Sequence, residues 1–259
     1  MSEHRARKRF GQNFLSDPNI IRKIVDAIRP LPGDIMVEIG PGLGAMTDPI
    51  AERLGHLHVV EIDRDLIARL KGRYGPERLS IHEGDALAFD FASLGTPLRV
   101  VGNLPYNIST PLLFHLASFA DGVRDMHFML QKEVILRMAA EPDTPDYGRL
   151  SVMLQQRFAM ARLFDVPPGA FRPEPKVTSS IVRMVPLPDD RPKPRDEVLF
   201  ARIVAAAFGQ RRKTLRNTLR EFLADADFEL LALDPGLRGE RLTVADYIAI
   251  ANHVSDRRQ

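Results

Sequence analysis

The 259-residue chain contains no cysteine. This absence excludes disulfide bonds and thiolate metal sites, and it is consistent with a reducing compartment. No apolar run approaches the roughly 20 residues that span a bilayer, and no apolar segment follows the basic N-terminus as it would in a signal peptide. We therefore expect a cytoplasmic protein with no membrane partner.

The chain also carries little net charge, a formal +2 at pH 7. Hydrophobic residues make up 44% of the sequence, which is enough for a packed core and excludes a disordered protein. The positive charge is concentrated at Arg5, Arg7, Lys8 and Arg9 and again between residues 201 and 220, where there is no acid. Such segments bind phosphate through their local field, although a solvated helix face and a loose tail have the same composition.

Hydrophobic periodicity predicts strands that alternate with helices over most of the chain. Ser16 and Asp17, followed by Pro18, predict the start of the first helix. The predicted strands cover residues 35–39, 57–62, 79–82, 98–102 and 126–130. Alternation of this kind indicates a mostly parallel sheet with helices on both faces. Two later strand candidates, 162–166 and 180–185, predict an antiparallel hairpin at a sheet edge.

A proline-rich stretch, residues 186–194, predicts a linker. Beyond it the periodicity is helical only, over residues 197–208, 214–224 and 243–254. We therefore predict an α/β domain over residues 1–188 and a small all-helical domain over residues 189–259.

A glycine-rich turn, residues 40–44, lies directly between a predicted strand and a predicted helix. Glycine allows a tight turn and a close approach of the backbone to a ligand. Glu61 ends the next strand, where an acid accepts hydrogen bonds from ribose hydroxyls, and Asp85 follows the third strand, where it suits an adenine amino group. Together these features predict a site for an adenosine-type cofactor, although Glu61 as a helix cap and Asp85 as a turn former are alternatives.

The spacing within the glycine turn differs from that of dinucleotide folds, because the third glycine comes one residue early and Glu38 precedes the first by two. This arrangement resembles motif I of class I methyltransferases, whose cofactor is S-adenosylmethionine. Methyl transfer is the better fit, and hydride transfer is the weaker alternative.

The tetrapeptide Asn103-Leu104-Pro105-Tyr106 follows the fourth predicted strand. The side-chain oxygen of Asn103 and the carbonyl of Leu104 can accept hydrogen bonds from an exocyclic amine and so expose its lone pair. Pro105 fixes the turn and Tyr106 offers a ring on which a base can stack. Methyl transfer to that amine is an in-line displacement that requires positioning and no general base or metal. The alternative is an ordinary turn.

A second proline-rich loop, residues 171–177, joins the last two predicted strands. Phe171 in this loop is a candidate to cover the opposite face of the base from Tyr106. Lys176 in the same loop is a candidate to meet a phosphate.

In their order along the chain, these motifs resemble those of the ribosomal RNA adenine dimethyltransferases of the KsgA/RsmA type. The matching segments are residues 11–15, 40–44, 61, 85, 103–106, 129–134, 147–151, 171–177 and 210–217. The resemblance implies a class I (Rossmann-like) methyltransferase sheet with a small C-terminal helical domain. It also implies N6,N6-dimethylation of two adjacent adenines in the 3′-terminal hairpin loop of small-subunit (16S) rRNA, with S-adenosylmethionine as the cofactor.

The resemblance further implies roles for individual residues. It implies catalytic roles for Asn103, Leu104, Pro105, Tyr106 and Phe171, of which Tyr106 and Phe171 form the base sandwich. The implied cofactor contacts are Asn13, Leu15, Gly40, Glu61, Asp85 and Asn103. The implied RNA contacts are Arg211, Arg212, Lys213 and Lys176. One departure is Gly44, where many members carry alanine, and it is expected only to loosen the turn.

The implied partner is a late assembly intermediate of the small ribosomal subunit, and a monomer is expected. One alternative is the related group of enzymes that methylate large-subunit rRNA, against which Leu104 and the Arg211-Arg212-Lys213 run argue. A second alternative is a binding protein that has lost its activity, against which the intact Asn103 and Tyr106 argue.

Overall fold

The computed structural model describes residues 13–257 and divides the chain into two compact units. The first unit comprises the chain through Ile135 together with Ala159–Pro186, and the second comprises Leu136–Phe158 together with the chain from Leu187 onwards. The predicted basic arm at residues 5–9, with Gly11 and Gln12 of the N-terminal motif, lies outside the described residues.

The first unit is built on a seven-stranded sheet, and a separate two-stranded sheet accompanies it. The strands are β1 (Phe14–Leu15), β2 (Ile35–Ile39), β3 (Leu57–Glu61), β4 (Leu79–Glu83), β5 (Leu98–Asn103), β6 (Val123–Gln131), β7 (Phe158–Val166), β8 (Phe171–Arg172) and β9 (Ser179–Pro186). The large sheet has the order β4-β3-β2-β5-β6-β9-β7. Its first five strands are parallel, and β9 runs antiparallel to β6. The predicted α/β fold with a mostly parallel sheet is therefore confirmed.

Helices precede and connect the strands. They are α1 (Pro18–Ile28), α2 (Thr47–Leu54), α3 (Arg64–Arg73), α4 (Ser109–Ala117), α5 (Lys132–Met138), α6 (Arg149–Gln155), α7 (Glu197–Gly209), α8 (Leu215–Thr218), α9 (Asp225–Leu230) and α10 (Val244–Asp256). The predicted start of α1 is confirmed, because the Asp17 carboxylate accepts hydrogen bonds from the amides of Asn19 and Ile20 at 2.8 and 3.2 Å. None of the helices within residues 13–257 is long and apolar enough to cross a membrane.

One predicted helix is wrong over much of its length. The periodicity predicts a helix over 214–224, but α8 ends at Thr218 and the chain continues in turns. Leu215, Leu219 and Leu223 are nevertheless all buried in one core. Successive turns place every fourth side chain on the same side much as a helix does, so the spacing did not distinguish them.

The second unit differs from the predicted helical domain in where it takes its residues. The chain divides between Pro186 and Leu187, close to the predicted boundary, but Leu136–Phe158 joins the second unit. The reason is packing: Tyr147 and Val152 lie in the same buried cluster as Phe200 of α7. Such burial of large apolar side chains contributes roughly 1.5–3 kcal/mol per residue.

A buried ion cluster fixes the amino ends of the central strands. Arg99 of β5 donates hydrogen bonds to Asp125 of β6 at 2.8 Å and to Asp34, which precedes β2, at 2.6 Å. It also donates to the carbonyl of Ile28 at the end of α1, at 2.6 Å. The burial of charged groups is tolerated when each is paired in this way. The carboxyl ends of the same strands, at the opposite edge of the sheet, carry the predicted functional residues.

Candidate functional site

A cavity of about 270 Å³ opens at the carboxyl ends of β2, β3, β4 and β5. The carboxyl ends of the strands are where open parallel sheets bind their ligands. The lining includes every residue predicted to contact the cofactor, namely Asn13, Leu15, Gly40, Glu61, Asp85 and Asn103. Leu104, Pro105 and Tyr106 line the same cavity. The structure thus brings the predicted cofactor contacts and the tetrapeptide at residues 103–106 together in one cavity, and the roles of the individual residues stay predictions.

The glycine turn forms one wall of this cavity. Gly40 and Gly42 have φ angles of 65° and 60°, which lie in the left-handed region that favours glycine. A Cβ atom added at Gly42 would lie 3.2 Å from the ring of Phe14, so a side chain here would push against the N-terminal segment. The turn is therefore glycine both for its backbone angle and for the close approach of Phe14.

Glu61 is held in place by backbone amides. Its Oε1 accepts hydrogen bonds from the amides of Ile62 and Asp63, each at 2.9 Å, and its Oε2 accepts a longer one of 3.4 Å from Gly42. Burial raises the pKa of Glu61, while these three amides act to lower it. The side chain that caps α3 is Asp63, which accepts from the amide of Asp65 at 3.0 Å. Glu61 is therefore not the cap of that helix, and its Oε2 has capacity for a ligand hydroxyl.

Asp85 is exposed and forms a turn as well as lining the cavity. Its Oδ1 accepts a hydrogen bond from the amide of Leu87 at 2.9 Å. A carboxylate has a second oxygen, so this bond leaves Oδ2 able to accept from a ligand. The turn-former alternative and the predicted adenine contact are thus compatible.

A second acid, Glu38, lies buried beside the cavity. Its Oε2 accepts a hydrogen bond of 2.6 Å from the hydroxyl of Thr47, the first residue of α2. Burial raises the pKa of Glu38 to about 7, and the charges of Glu61 and Asp48 act in the same direction. The sequence singled out Glu38 as part of the glycine motif, but it gave no sign of the partner Thr47.

The Asn103 amide has a defined orientation. Its Nδ2 donates a hydrogen bond of 3.0 Å to the carbonyl of Asn13, on the N-terminal segment. With the NH₂ group engaged there, Oδ1 is the atom of this amide that accepts. Such an acceptor at the cavity wall is what the sequence-based hypothesis requires of Asn103.

The turn after Asn103 is tied to the sheet and to α4. The amide of Leu104 donates to the carbonyl of Met129 on β6 at 3.2 Å, and the Leu104 side chain is buried. The Tyr106 ring lines the cavity and is half-buried, and its hydroxyl lies 2.8 Å from the hydroxyl of Ser179. Burial raises the pKa of Tyr106, so the phenol is neutral at physiological pH.

Phe171 is not where the sequence-based hypothesis requires it. Its side chain is 0% exposed, belongs to the apolar core of the first unit and does not line the cavity. The cause is the pairing of β8 with β1, which sets Phe171 opposite Leu15 in the small antiparallel sheet. In this arrangement the ring cannot cover a base, so the predicted sandwich would require Phe171 to leave the core.

The predicted RNA contacts are exposed and lie outside this cavity. Lys176 is an exposed residue of the loop before β9. Arg211 and Arg212 line a second cavity, which lies within the second unit and also contains Arg238 and Glu240. The guanidinium of Arg211 donates to the carbonyl of Pro145. Their role in RNA binding stays a prediction.

Two residues were missed by sequence reasoning. Ile62 lines the cavity and its side chain stays 49% exposed, unusual for a large apolar residue beside a buried strand end. The signal in the sequence that points to Ile62 is its position directly after Glu61, the acid that ends β3. Ser179 was missed because its contact with Tyr106 depends on the pairing of β9 with β6, which spans a long stretch of sequence.

Comparison with known proteins gives a consistent result. Residues 3–256 match the family described as ribosomal RNA adenine dimethylase. The chain is 80% identical to "Ribosomal RNA small subunit methyltransferase A" of Aromatoleum aromaticum over 98% of this chain and 96% of that protein. It is 63% identical to the protein of the same name from Thiobacillus denitrificans, over 98% of this chain and all of that protein.

Solved structures share the fold. A dimethyladenosine transferase from Plasmodium falciparum superposes with a TM-score of 0.80 at 24% identity, over 94% of this chain and 98% of that one. The 23S rRNA methyltransferase ErmE superposes with a TM-score of 0.65 at 22% identity, over 94% of this chain and all of that one. At these identities the superpositions show a common class I methyltransferase architecture.

Proposed function

Because the chain belongs to the ribosomal RNA adenine dimethylase family, we propose that it dimethylates N6 of two adjacent adenines in the 3′-terminal hairpin loop of small-subunit (16S) rRNA. The chain is an S-adenosylmethionine-dependent rRNA adenine methyltransferase. The choice of the small subunit is supported by relatives at 80% and 63% identity that carry this substrate in their names. The single observation that carries the proposal is the shared cavity, which joins Glu61 and Asp85 to Asn103 and Tyr106.

The residues of the cavity fit S-adenosylmethionine. The left-handed turn at Gly40 and Gly42 leaves room beside the backbone, Oε2 of Glu61 suits a ribose hydroxyl, and Asp85 with the exposed Ile62 suits an adenine ring. When bound, S-adenosylmethionine supplies an activated methyl group on a positively charged sulfur.

The residues on the base side then act on the nucleophile. The exocyclic amine of adenine is weakly nucleophilic because its lone pair is delocalised into the ring. Oδ1 of Asn103 accepts a hydrogen bond from that amine and, with the carbonyl of Leu104, favours a pyramidal nitrogen. Tyr106 stacks on the extruded base and limits its motion. Fixed acceptors and a fixed ring supply the acceleration by positioning and preorganisation, so no side chain has to remove a proton before the transfer. The nitrogen is cationic once it carries the new methyl group, and it then releases its proton to water.

The remaining features describe how the substrate is held. We propose that the second unit, with Arg211, Arg212 and Lys213, binds the small subunit through rRNA phosphates, and that Lys176 of the first unit adds a further phosphate contact. The partner is a late assembly intermediate of the small subunit, and the enzyme acts as a cytoplasmic monomer. The exposed arginines support this assignment, because guanidinium groups pair readily with phosphate.

The proposal is tested by incubating the protein with labelled S-adenosylmethionine and small subunits that lack the modification, with large subunits in parallel. Mass analysis of the hairpin nucleosides should find dimethyladenosine in small subunits alone. Label only in large subunits would show that the protein belongs to the related group of enzymes that methylate large-subunit rRNA. Tight subunit binding without label in either would make the protein a binding factor.

A further inference from the structure

The hydroxyl of Tyr106 is bound to the central sheet. It lies 2.8 Å from Oγ of Ser179, the first residue of β9. Ser179 is 0% exposed and pairs with Gln131 in the β6–β9 ladder, so its backbone is fixed by the sheet. A buried serine on a paired strand is a rigid anchor for the phenol.

The other end of Tyr106 is held as well. Its carbonyl accepts a hydrogen bond of 3.1 Å from the hydroxyl of Ser109, at the start of α4. The ring is therefore fixed at its backbone by the turn and at its hydroxyl by Ser179. A base that stacks on this ring meets a surface that is already oriented, and preorganisation of this kind lowers the entropy lost in reaching the reactive geometry.

We propose that Ser179 is a positioning residue for methyl transfer, which holds the ring of Tyr106 in the plane that stacks on the target adenine. The inference rests on the proposed function and adds to it a buried residue that does not touch the base. The phenolic hydroxyl acts as a tether to the sheet, so it makes no contact with the substrate, and only the ring faces the adenine.

The next residue, Ser180, provides a matched control. It is also 0% exposed, but it lies on the opposite face of β9, where its hydroxyl donates to Asp165 at 2.5 Å. Replacement of either serine by alanine removes one buried hydroxyl from the same strand. Only Ser179→Ala releases Tyr106.

The kinetic test compares Ser179→Ala, Ser180→Ala, Tyr106→Phe and the double variant Ser179→Ala/Tyr106→Phe on unmodified small subunits. Loss of one positioning hydrogen bond should lower kcat about fivefold in Ser179→Ala and in Tyr106→Phe, with little change in KM for subunits or in binding of S-adenosylmethionine. The double variant should be no slower than either single variant, because both remove the same hydrogen bond. Ser180→Ala should keep the wild-type kcat.

A second readout needs no substrate. The chain has four tyrosines, so ring signals of protein labelled with ¹³C-tyrosine are few, and Tyr106→Phe assigns the signal of Tyr106. Ser179→Ala should shift or broaden that signal and Ser180→Ala should leave it unchanged. A Tyr106 signal that Ser179→Ala does not move, or a Ser179→Ala enzyme as fast as Ser180→Ala, would overturn the inference. Failure of the wild-type protein to methylate small subunits would instead overturn the proposed function, and the ring signal would still decide whether Ser179 holds Tyr106.

Discussion

Thr47 donates a hydrogen bond of 2.6 Å to the buried carboxylate of Glu38, joining the end of β2 to the first residue of α2 beside the cavity. Burial raises the pKa of Glu38 from its ordinary 4.5 to about 7, with Glu61 and Asp48 adding to the rise. The folded state therefore binds a proton more tightly than the unfolded state does.

The first prediction follows from that difference. Since the folded pKa is the higher one, the contribution of Glu38 to stability is complete below pH 4.5 and is lost as the pH rises through about 7. The loss amounts to about 3 kcal/mol at most. Glu38→Gln keeps the shape and cannot ionise, so it does not suffer this loss. The free energy of unfolding of the variant minus that of wild type should therefore increase between about pH 5 and pH 7.5, as measured by urea unfolding.

The comparison with wild type matters because another buried group titrates in the opposite sense. The pKa of His127 is lowered to about 4 by burial, so its contribution to stability is lost as the pH falls below 6.5. That contribution is common to both proteins and cancels in their difference. A difference that stays constant over this pH range would contradict the raised pKa of Glu38.

The second prediction concerns the ion cluster of Arg99, at the amino ends of the central strands. Arg99→Leu removes the short pair of the buried Asp125, whose next cation is Arg183 at 3.8 Å, while Asp34 keeps its pair with Arg124 at 3.0 Å. The loss at Asp125 should lower the free energy of unfolding by about 3–5 kcal/mol. Arg53→Leu removes a pair with Asp26 that is just as short, at 2.6 Å, but exposed, and should cost about 0–1 kcal/mol. Equal losses in denaturant titrations of the two variants would show that burial does not control the strength of the Arg99 cluster.

The third prediction separates chemistry from binding. Asn103→Ala removes the acceptor proposed for the adenine amine and should lower kcat by about 100-fold or more, in line with the loss of other preorganised polar groups. Small-subunit binding, measured by sedimentation, should stay within about twofold of wild type. The variant also loses the bond from Nδ2 to the Asn13 carbonyl, so binding of S-adenosylmethionine is measured alongside. A loss of activity explained wholly by weaker cofactor binding would assign Asn103 to the cofactor alone.

The fourth prediction concerns the basic run of the second unit. Changing Arg211 and Arg212 together to Glu should weaken small-subunit binding. It should also reduce the slope of log affinity against log salt by roughly 0.7–0.9 for each rRNA phosphate that the variant no longer neutralises. Arg195→Glu, also in the second unit, alters an exposed arginine paired with Asp256 and serves as the control for a general charge effect. If the slope of log affinity against log salt is the same for wild type and the Arg211/Arg212 variant, this basic run is not part of the RNA interface.

Much of the first unit could be predicted because its signals are local. The strand Ile35–Ile39 was predicted with its observed ends, since a short apolar run between turn residues has few alternatives. α4 was not predicted as a helix because its residues are apolar on several faces, with Leu112, Leu113 and Leu116 all buried, and so give no clear period.

The candidate site divides in the same way. Gly40, Glu61, Asp85 and Asn103 each stand at the carboxyl end of a predicted strand or just after it, and parallel strands bring such positions together. Ser179 and Phe171 depend instead on strand pairing. Ser179 reaches Tyr106 through the β6–β9 register, and Phe171 enters the core because β8 pairs with β1. No local pattern in the sequence reports those pairings.

The helical unit is assembled from two separate stretches of chain, with β7, β8 and β9 between them in sequence. It is therefore not a module that one cut can detach. A chimera that takes everything after residue 186 from a relative would combine foreign α7 and α10 with the native Tyr147 and Val152 in a single core. If this unit is exchanged between relatives, both stretches of chain have to be exchanged together. Substitutions in one stretch are expected to compensate for substitutions in the other.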